Sequence, residues 1–238
     1  MKILAVDAST IVATCAILDE DKILSEHILN YKLTHSEKIM PMIKEVLNSC
    51  GLKPKDIDVY AASKGPGSFT GLRIGIATIK GLAHVADKPV VGVSTLEALA
   101  YNMPLADGIV VPIMDARRNR VYTGMYKWVD GRFETVNEEM AIEVTELIDM
   151  LKDVEEKIIF NGNGTLVYKD QLKEALGGKA VFAPASVNMA RASSVAQIAM
   201  MKAKEGKVES YYSLVPNYLR KSQAERQYEE RKRKDGEK

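Results

Sequence analysis

Apolar and polar positions change period several times along the chain, and each change marks an element. KILAVD (2–7), ATCAIL (13–18) and KILSEHI (22–28) are strand-length runs joined by links short enough for hairpins, which predicts an antiparallel meander. In HSEKIMPMIKEVLNSCG, Ile39, Ile43, Val46, Leu47 and Cys50 recur at helical spacing. Gly51 stands there as a C-terminal stop, and Pro41 is expected to kink the first turns. Residues 57–63 and 89–93 then read as strands, and 70–86 and 94–103 as helices. The order is β-β-β-α-β-α-β-α.

The second half repeats that order. GIVVPIM (108–114), NRVYTGMYKW (119–128) and RFETVN (132–137) read as strands and precede a helix near 144–152. KIIFNG (157–162) and KAVFA (179–183) are strands flanking a helix at about 165–176, and a last helix follows at about 190–205. No sequence identity relates the halves, so the repeat is one of element order. The expected architecture is α/β, a duplicated ribonuclease-H-like plan of the actin, sugar kinase and Hsp70 kind: two subdomains, each with a mixed sheet and flanking helices. An ordinary doubly wound sheet would not begin each half with three hairpin-linked strands. The boundaries are 1–104 for the first subdomain and 105–219 for the second, whose last helix is free to pack back on the first. Residues 220–238 hold eight Lys/Arg and five Asp/Glu with only Ala224 and Tyr228 as apolar members, the composition of a charged flexible tail.

Composition narrows the function classes. Hydrophobic residues at 46% and charged residues at 27% are those of a globular protein. A balance of 33 Lys+Arg against 32 Asp+Glu leaves no chain-wide basic field to hold nucleic acid unaided. No uncharged apolar stretch has the length of a spanning helix, and the N-terminal run meets Asp7 where a signal peptide would stay apolar. The expectation is a cytoplasmic protein with no membrane association. Cys15 and Cys50 are too few for a disulfide framework or a zinc site and read as reduced core thiols.

The densest chemical signal is GPGSFTGLRIG at 65–75, four of the sixteen glycines in eleven residues. Its spacing fits neither a dinucleotide fingerprint nor a Walker loop. Gly65-Pro66-Gly67 suits a tight turn after a strand, with Ser68 or Thr70 as the cap of the next helix. Gly67, Gly71 and Gly75 lie four apart, a bare strip on which another backbone can approach closely. Leu72, Ile74, Ile76, Ile79, Leu82 and Val85 point around most of that cylinder, which predicts a helix covered on more sides than one sheet can reach. Met40 and Met42 sit partly off the stripe of the preceding helix and suit an adaptable contact surface. Asp7-Ala8-Ser9-Thr10 ends the first strand, and Asp115-Ala116-Arg117-Arg118 is its counterpart in the second half. In this superfamily plan such a turn cups a nucleotide phosphate, so Asp7, Ser9 and Thr10 are the candidate nucleotide-binding residues. Arg117 stands where a phosphate hairpin prefers glycine, and it can bind an anion or pair with Asp115. There is no H-E-x-x-H and no G-x-S-x-G, and His27, His35 and His84 form no i, i+4 pair, which speaks against a peptidase.

ILAVDAST, THSEKIMPMI, GPGSFTGLRIGIATIKGLA, VVGVSTLEALA, MDARRNRVY and VPNYLR resemble, in order and spacing across nearly the whole chain, the TsaB (YeaZ) family. The resemblance implies a bacterial cytoplasmic subunit of the machinery that makes threonylcarbamoyladenosine in tRNA. It implies that this chain binds its paralogue TsaD, which carries the metal and catalytic centre, as a heterodimer, works with the ATPase TsaE and meets tRNA through the complex; for the chain alone, an uncovered apolar surface leaves both a homodimer and a monomer open. No catalytic residue and no metal ligand are then expected in this chain: the paralogue's two metal-binding histidines fall on Thr95 and Leu99. No cofactor is expected for the chain alone, ATP and magnesium belonging to the complex. The helices beginning near His35 and Thr70 form the family's dimer surface, which makes Met40, Ile43, Gly71, Leu72, Gly75, Ile76 and Ile79 the expected contacts. The family's usual DTST turn is DAST here, with Ala8 in place of a hydroxyl. The alternative function is a small-molecule kinase or ATPase of the same superfamily.

Overall fold

The computed structural model describes residues 1–31, 34–220 and 232. The expected tail, 220–238, lies outside them apart from Arg220 and Lys232.

Two five-stranded sheets are built alike. In the first, β1 (Lys2–Asp7), β2 (Ala13–Asp19) and β3 (Lys22–Leu29) form the meander, and β4 (Val59–Gly65) and β5 (Val90–Ser94) continue in parallel in the order β3-β2-β1-β4-β5. In the second, β6 (Ile109–Asp115), β7 (Arg120–Val129), β8 (Arg132–Glu143), β9 (Ile158–Asn161) and β10 (Ala180–Phe182) take the order β10-β9-β6-β7-β8. Read from the third strand of each, the two orders are the same, which is the duplicated ribonuclease-H-like plan. β8 is longer than the RFETVN run because its second half is edge-strand sequence with little apolar alternation and bulged pairing to β7.

The central strand β1 carries an unbroken apolar run because both its faces are buried. Leu4 and Val6 meet α1 (His35–Ser49) and α2 (Phe69–Ala86) on one side. Ile3 and Ala5 meet α6 (Ala192–Lys204) on the other, so the last helix of the second half covers the first sheet. α3 (Thr95–Tyr101) fills the junction, with Leu96, Leu99 and Ala100 against Val110, Met114 and Tyr126. α4 (Val144–Leu151) and α5 (Thr165–Leu176) cover the outer face of the second sheet. Across the junction Glu139 of β8 accepts from Ser94 Oγ and from Tyr126 Oη, and desolvation raises its pKa above the usual carboxylate range. Cys15 is buried among apolar residues, which pushes its thiol up to about 12 and keeps it protonated.

After α6 the chain does not simply end. Residues 207–220 run back along α2 as a strap. Glu209 adds an antiparallel bridge to Val90, Leu214 enters the first core, Tyr211 meets His84 edge-on, and Lys80 Nζ donates to the carbonyls of Tyr212 and Leu214.

Candidate functional site

A cleft of about 820 Å³ opens between the two sheets at the carboxyl ends of β1 and β6. Its first wall begins at Asp7. Oδ1 of this buried carboxylate accepts from the backbone N–H of Ser9 at 2.8 Å and from Ser9 Oγ at 2.6 Å, while Oδ2 accepts from Ser63 Oγ at 2.6 Å. Ser9 is buried too, and its carbonyl accepts from the Ser68 N–H at 2.6 Å. Thr10 reaches the cleft, and its hydroxyl accepts from the Val12 N–H. The glycine strip of α2 is what presses on this turn: a Cβ on Gly67 would fall on the carbonyl oxygen of Ser9, and one on Gly71 on that of Ala8.

The second wall repeats the design with different residues. Asp115 ends β6, and its Oδ1 accepts from the Arg117 N–H at 2.9 Å and from Tyr168 Oη at 3.2 Å. Burial, with Asp115 beside it, raises the pKa of the Tyr168 hydroxyl. The turn after β9 presses on β6 as the Gly65–Gly67 turn presses on β1: Gly162 and Gly164 abut Ile113, and Asn163 Oδ1 accepts from the Asp115 N–H. Arg117, Arg118 and Asn119 follow one another at φ 63°, 56° and 55°, a left-handed run that L-residues adopt at some expense. The strap forms the third wall. Asn217 donates from its N–H to the Lys64 carbonyl, Tyr218 stacks on Phe69 at 4.2 Å, and Arg220 Nη1 donates to the Ala116 carbonyl at 2.7 Å, tying the strap to the second half.

This geometry bears on two expectations. Of the candidate nucleotide-binding residues, Asp7 engages its oxygens with Ser9 and Ser63 and Ser9 donates its hydroxyl to Asp7, whereas Thr10 lines the cleft. The expected contact set also divides. Met40 is 46% exposed, but Ile43, Leu72, Ile76 and Ile79 are at most 4% exposed, and Gly71 and Gly75 are buried. Their cover is the chain's own sheet, the Asp7–Thr10 turn and the strap. What α1 and α2 show outward is a different set: Met40 and Pro41 among Ser36, Glu37, Lys44, Glu45, Asn48 and Ser49 on α1; Thr70, Arg73, Ala77, Gly81, His84 and Val85 on α2. The i, i+4 spacing of Ala77, Gly81 and Val85 was the available sign of this second stripe, and Tyr211, Tyr212, Leu214 and Tyr218 that of the strap.

A family model described as TsaD, tRNA N6-adenosine threonylcarbamoyltransferase, matches residues 22–228. Over 94% of its length the chain is 37% identical to the tRNA threonylcarbamoyladenosine biosynthesis protein TsaB of Bacillus subtilis (strain 168), covering 96% of it. The chain belongs to the TsaB family. The TsaB protein of Escherichia coli (strain K12) is 30% identical over 94% of this chain and 96% of its own length. YeaZ from Pseudomonas aeruginosa superposes with a TM-score of 0.77 at 26% identity, covering 92% of this chain and 99% of that one. The ethanolamine utilization protein EutJ from Carboxydothermus hydrogenoformans, 13% identical with a TM-score of 0.51 over 82% of this chain and 89% of that one, shares the fold alone.

In this TsaB-family chain Thr95 and Leu99 lie in the junction core, 0% and 1% exposed. The Leu99 carbonyl accepts from Asn161 Nδ2 at 2.6 Å, and apolar side chains fill the space around it. Leu99 has no side-chain lone pair to offer a metal. His27 pairs with Glu45, His35 lies against the Val12 carbonyl and His84 against Tyr211, so the three imidazoles share no partner. Among the described residues no group of three or more His, Cys, Asp or Glu is placed to hold a metal, and no helix is long and apolar enough to cross a membrane.

Proposed function

We propose that this chain serves the biosynthesis of threonylcarbamoyladenosine in tRNA as a non-catalytic cytoplasmic subunit that binds and stabilises a TsaD-type transferase. Membership of the TsaB family carries the reading. The junction core at Thr95 and Leu99 supports the non-catalytic part, since neither side chain replaces an imidazole. ATP and magnesium then act elsewhere in the complex, with a TsaE-type ATPase, and tRNA is met through the assembly. The sealed turn at Asp7 weighs against a kinase or ATPase working alone.

The partner surface we assign is the outward face of α1 and α2. Gly81 supports it. This glycine lies in a helix interior, exposed, with no atom of the described residues within 4 Å of where a Cβ would stand. Relative to alanine it weakens the isolated helix by roughly 1 kcal/mol, and no contact among the described residues requires it. A low stripe of Ala77 and Gly81, continued by Val85, lets a second helix come close, within an interface on the order of 1,200–2,000 Å² in total. In the partner's absence a second copy takes the same face. Gly81→Arg is expected to leave the thermal midpoint of the isolated chain within about 2 °C of wild type, as surface substitutions generally do. It should abolish co-purification with the TsaD-type subunit, and wild-type recovery of the pair would place the interface elsewhere. The function itself is tested by reconstituting tRNA modification from the threonylcarbamoyl adenylate donor, the ATPase and the transferase, with and without this chain. Full modification in its absence would refute the proposal.

A further inference from the structure

We infer that the cleft binds a phosphate-bearing ligand on its second wall, through the guanidinium groups of Arg117 and Arg118, and not at the Asp7 turn. The inference is independent of the partner reading above. The cleft's volume lies within the range of small-molecule sites, about 300–1,000 Å³. Its charge is one-sided. The chain as a whole carries +1, yet among the described residues the cleft is lined by Arg117 and Arg118 side by side, with Asp115 as its carboxylate. Asp115 is itself held by Tyr168 Oη and by the Arg117 N–H. Among the described residues no carboxylate pairs with the guanidinium of Arg117 or Arg118, and both side chains are exposed at the cleft wall. Like charges gathered on one turn repel until an anion joins them, and two adjacent guanidiniums match phosphate oxygens with paired, charge-assisted hydrogen bonds.

The same cleft says which part of the ligand is read. Phe69 on the first wall carries Tyr218 stacked at 4.2 Å and the Arg73 guanidinium 4.2 Å from the ring centroid, and Arg73 Nε donates to Tyr218 Oη at 3.1 Å. With the two guanidiniums on the second wall and the Asp7 oxygens engaged inside the chain, recognition falls on the phosphates, and arginine rather than a carboxylate-held magnesium ion neutralises them.

Titration of the full chain with pyrophosphate in EDTA, followed by calorimetry, tests this. Binding is expected in the micromolar to millimolar range, weakening as salt is raised. Arg117→Gln with Arg118→Gln should lower the affinity at least tenfold. Glutamine keeps the left-handed backbone no worse than arginine does, and in the wild-type chain amide shifts on titration provide a second reading, expected at Asp115–Asn119. Adenosine should fail to compete, whereas ADP and a short single-stranded RNA distinguish the source of the phosphate by which of them competes more strongly. Absence of binding at about 10 mM pyrophosphate, an unchanged affinity in the double variant, a strict need for magnesium, or shifts confined to residues 7–10 would each overturn the proposal.

Discussion

Ile76→Asp is expected to unfold the first lobe before any partner is added. Ile76 is 4% exposed and packs in one core with Leu4, Val6, Tyr60, Ile79 and Leu214. An aspartate there is desolvated without a cation to meet it, a burial that costs about 3–5 kcal/mol. Against a total stability of about 5–15 kcal/mol that is a large share, and it corresponds to a fall in midpoint on the order of 10 °C for a chain of this size. Thermal melting of the isolated variant, with near-ultraviolet circular dichroism to follow tertiary packing, measures it. If the variant melts as wild type and loses only its partner, then Ile76 belongs to an interface and the packing described above is mistaken. The contrast with Gly81→Arg is deliberate: the two residues sit five apart on one helix and should fail in opposite ways.

Gly71→Ala should reverse the usual sign of a glycine-to-alanine change in a helix. At an open site alanine gains roughly 0.5–1 kcal/mol, and Gly81→Ala is expected to do so, with a midpoint about 2 °C higher. At Gly71 the new methyl group falls on the carbonyl oxygen of Ala8, an atom of backbone held in the turn between β1 and β2. Helix and turn must part, and the net loss is expected to be about 2–3 kcal/mol, a midpoint lower by about 5–10 °C. The turn carries the Asp7–Ser9–Ser63 hydrogen bonds, so amide exchange at residues 7–10 should quicken in the same variant. A Gly71→Ala protein at least as stable as wild type would show that the α2 strip does not seat this turn.

The elements were legible because the signals that specify them are local. Period-2 runs, helical spacing and stop residues placed every helix and strand of the duplicated plan within a few residues, and of the two cap candidates for α2, Ser68 and Thr70, it is Ser68 that accepts from the Gly71 N–H. The exceptions share a cause. The second half of β8 has little alternation because an edge strand buries little, and the strap has no period at all because it is held at separate points, by Leu214, Tyr211, Asn217 and Tyr218, and not along a face. At the site the glycines announced a close backbone approach, and an approach occurs. The expectation that the approaching backbone belongs to another molecule did not follow from the glycines, because a bare strip records that something comes near and not from where.

From residue order alone one could therefore read a two-lobed α/β chain, its strand and helix succession, its family, and the turns where chemistry would gather. The sealing of α2 and of Asp7 could not be read that way. It depends on contacts made across large separations in sequence, Ser63 with Asp7 across 56 residues and Lys80 with the carbonyls of residues 212 and 214 across more than 130. Periodicity states how much of a helix is greasy. Only three-dimensional packing says whose atoms cover it, because burial depends on the whole surroundings of a side chain and hardly at all on its neighbours along the chain.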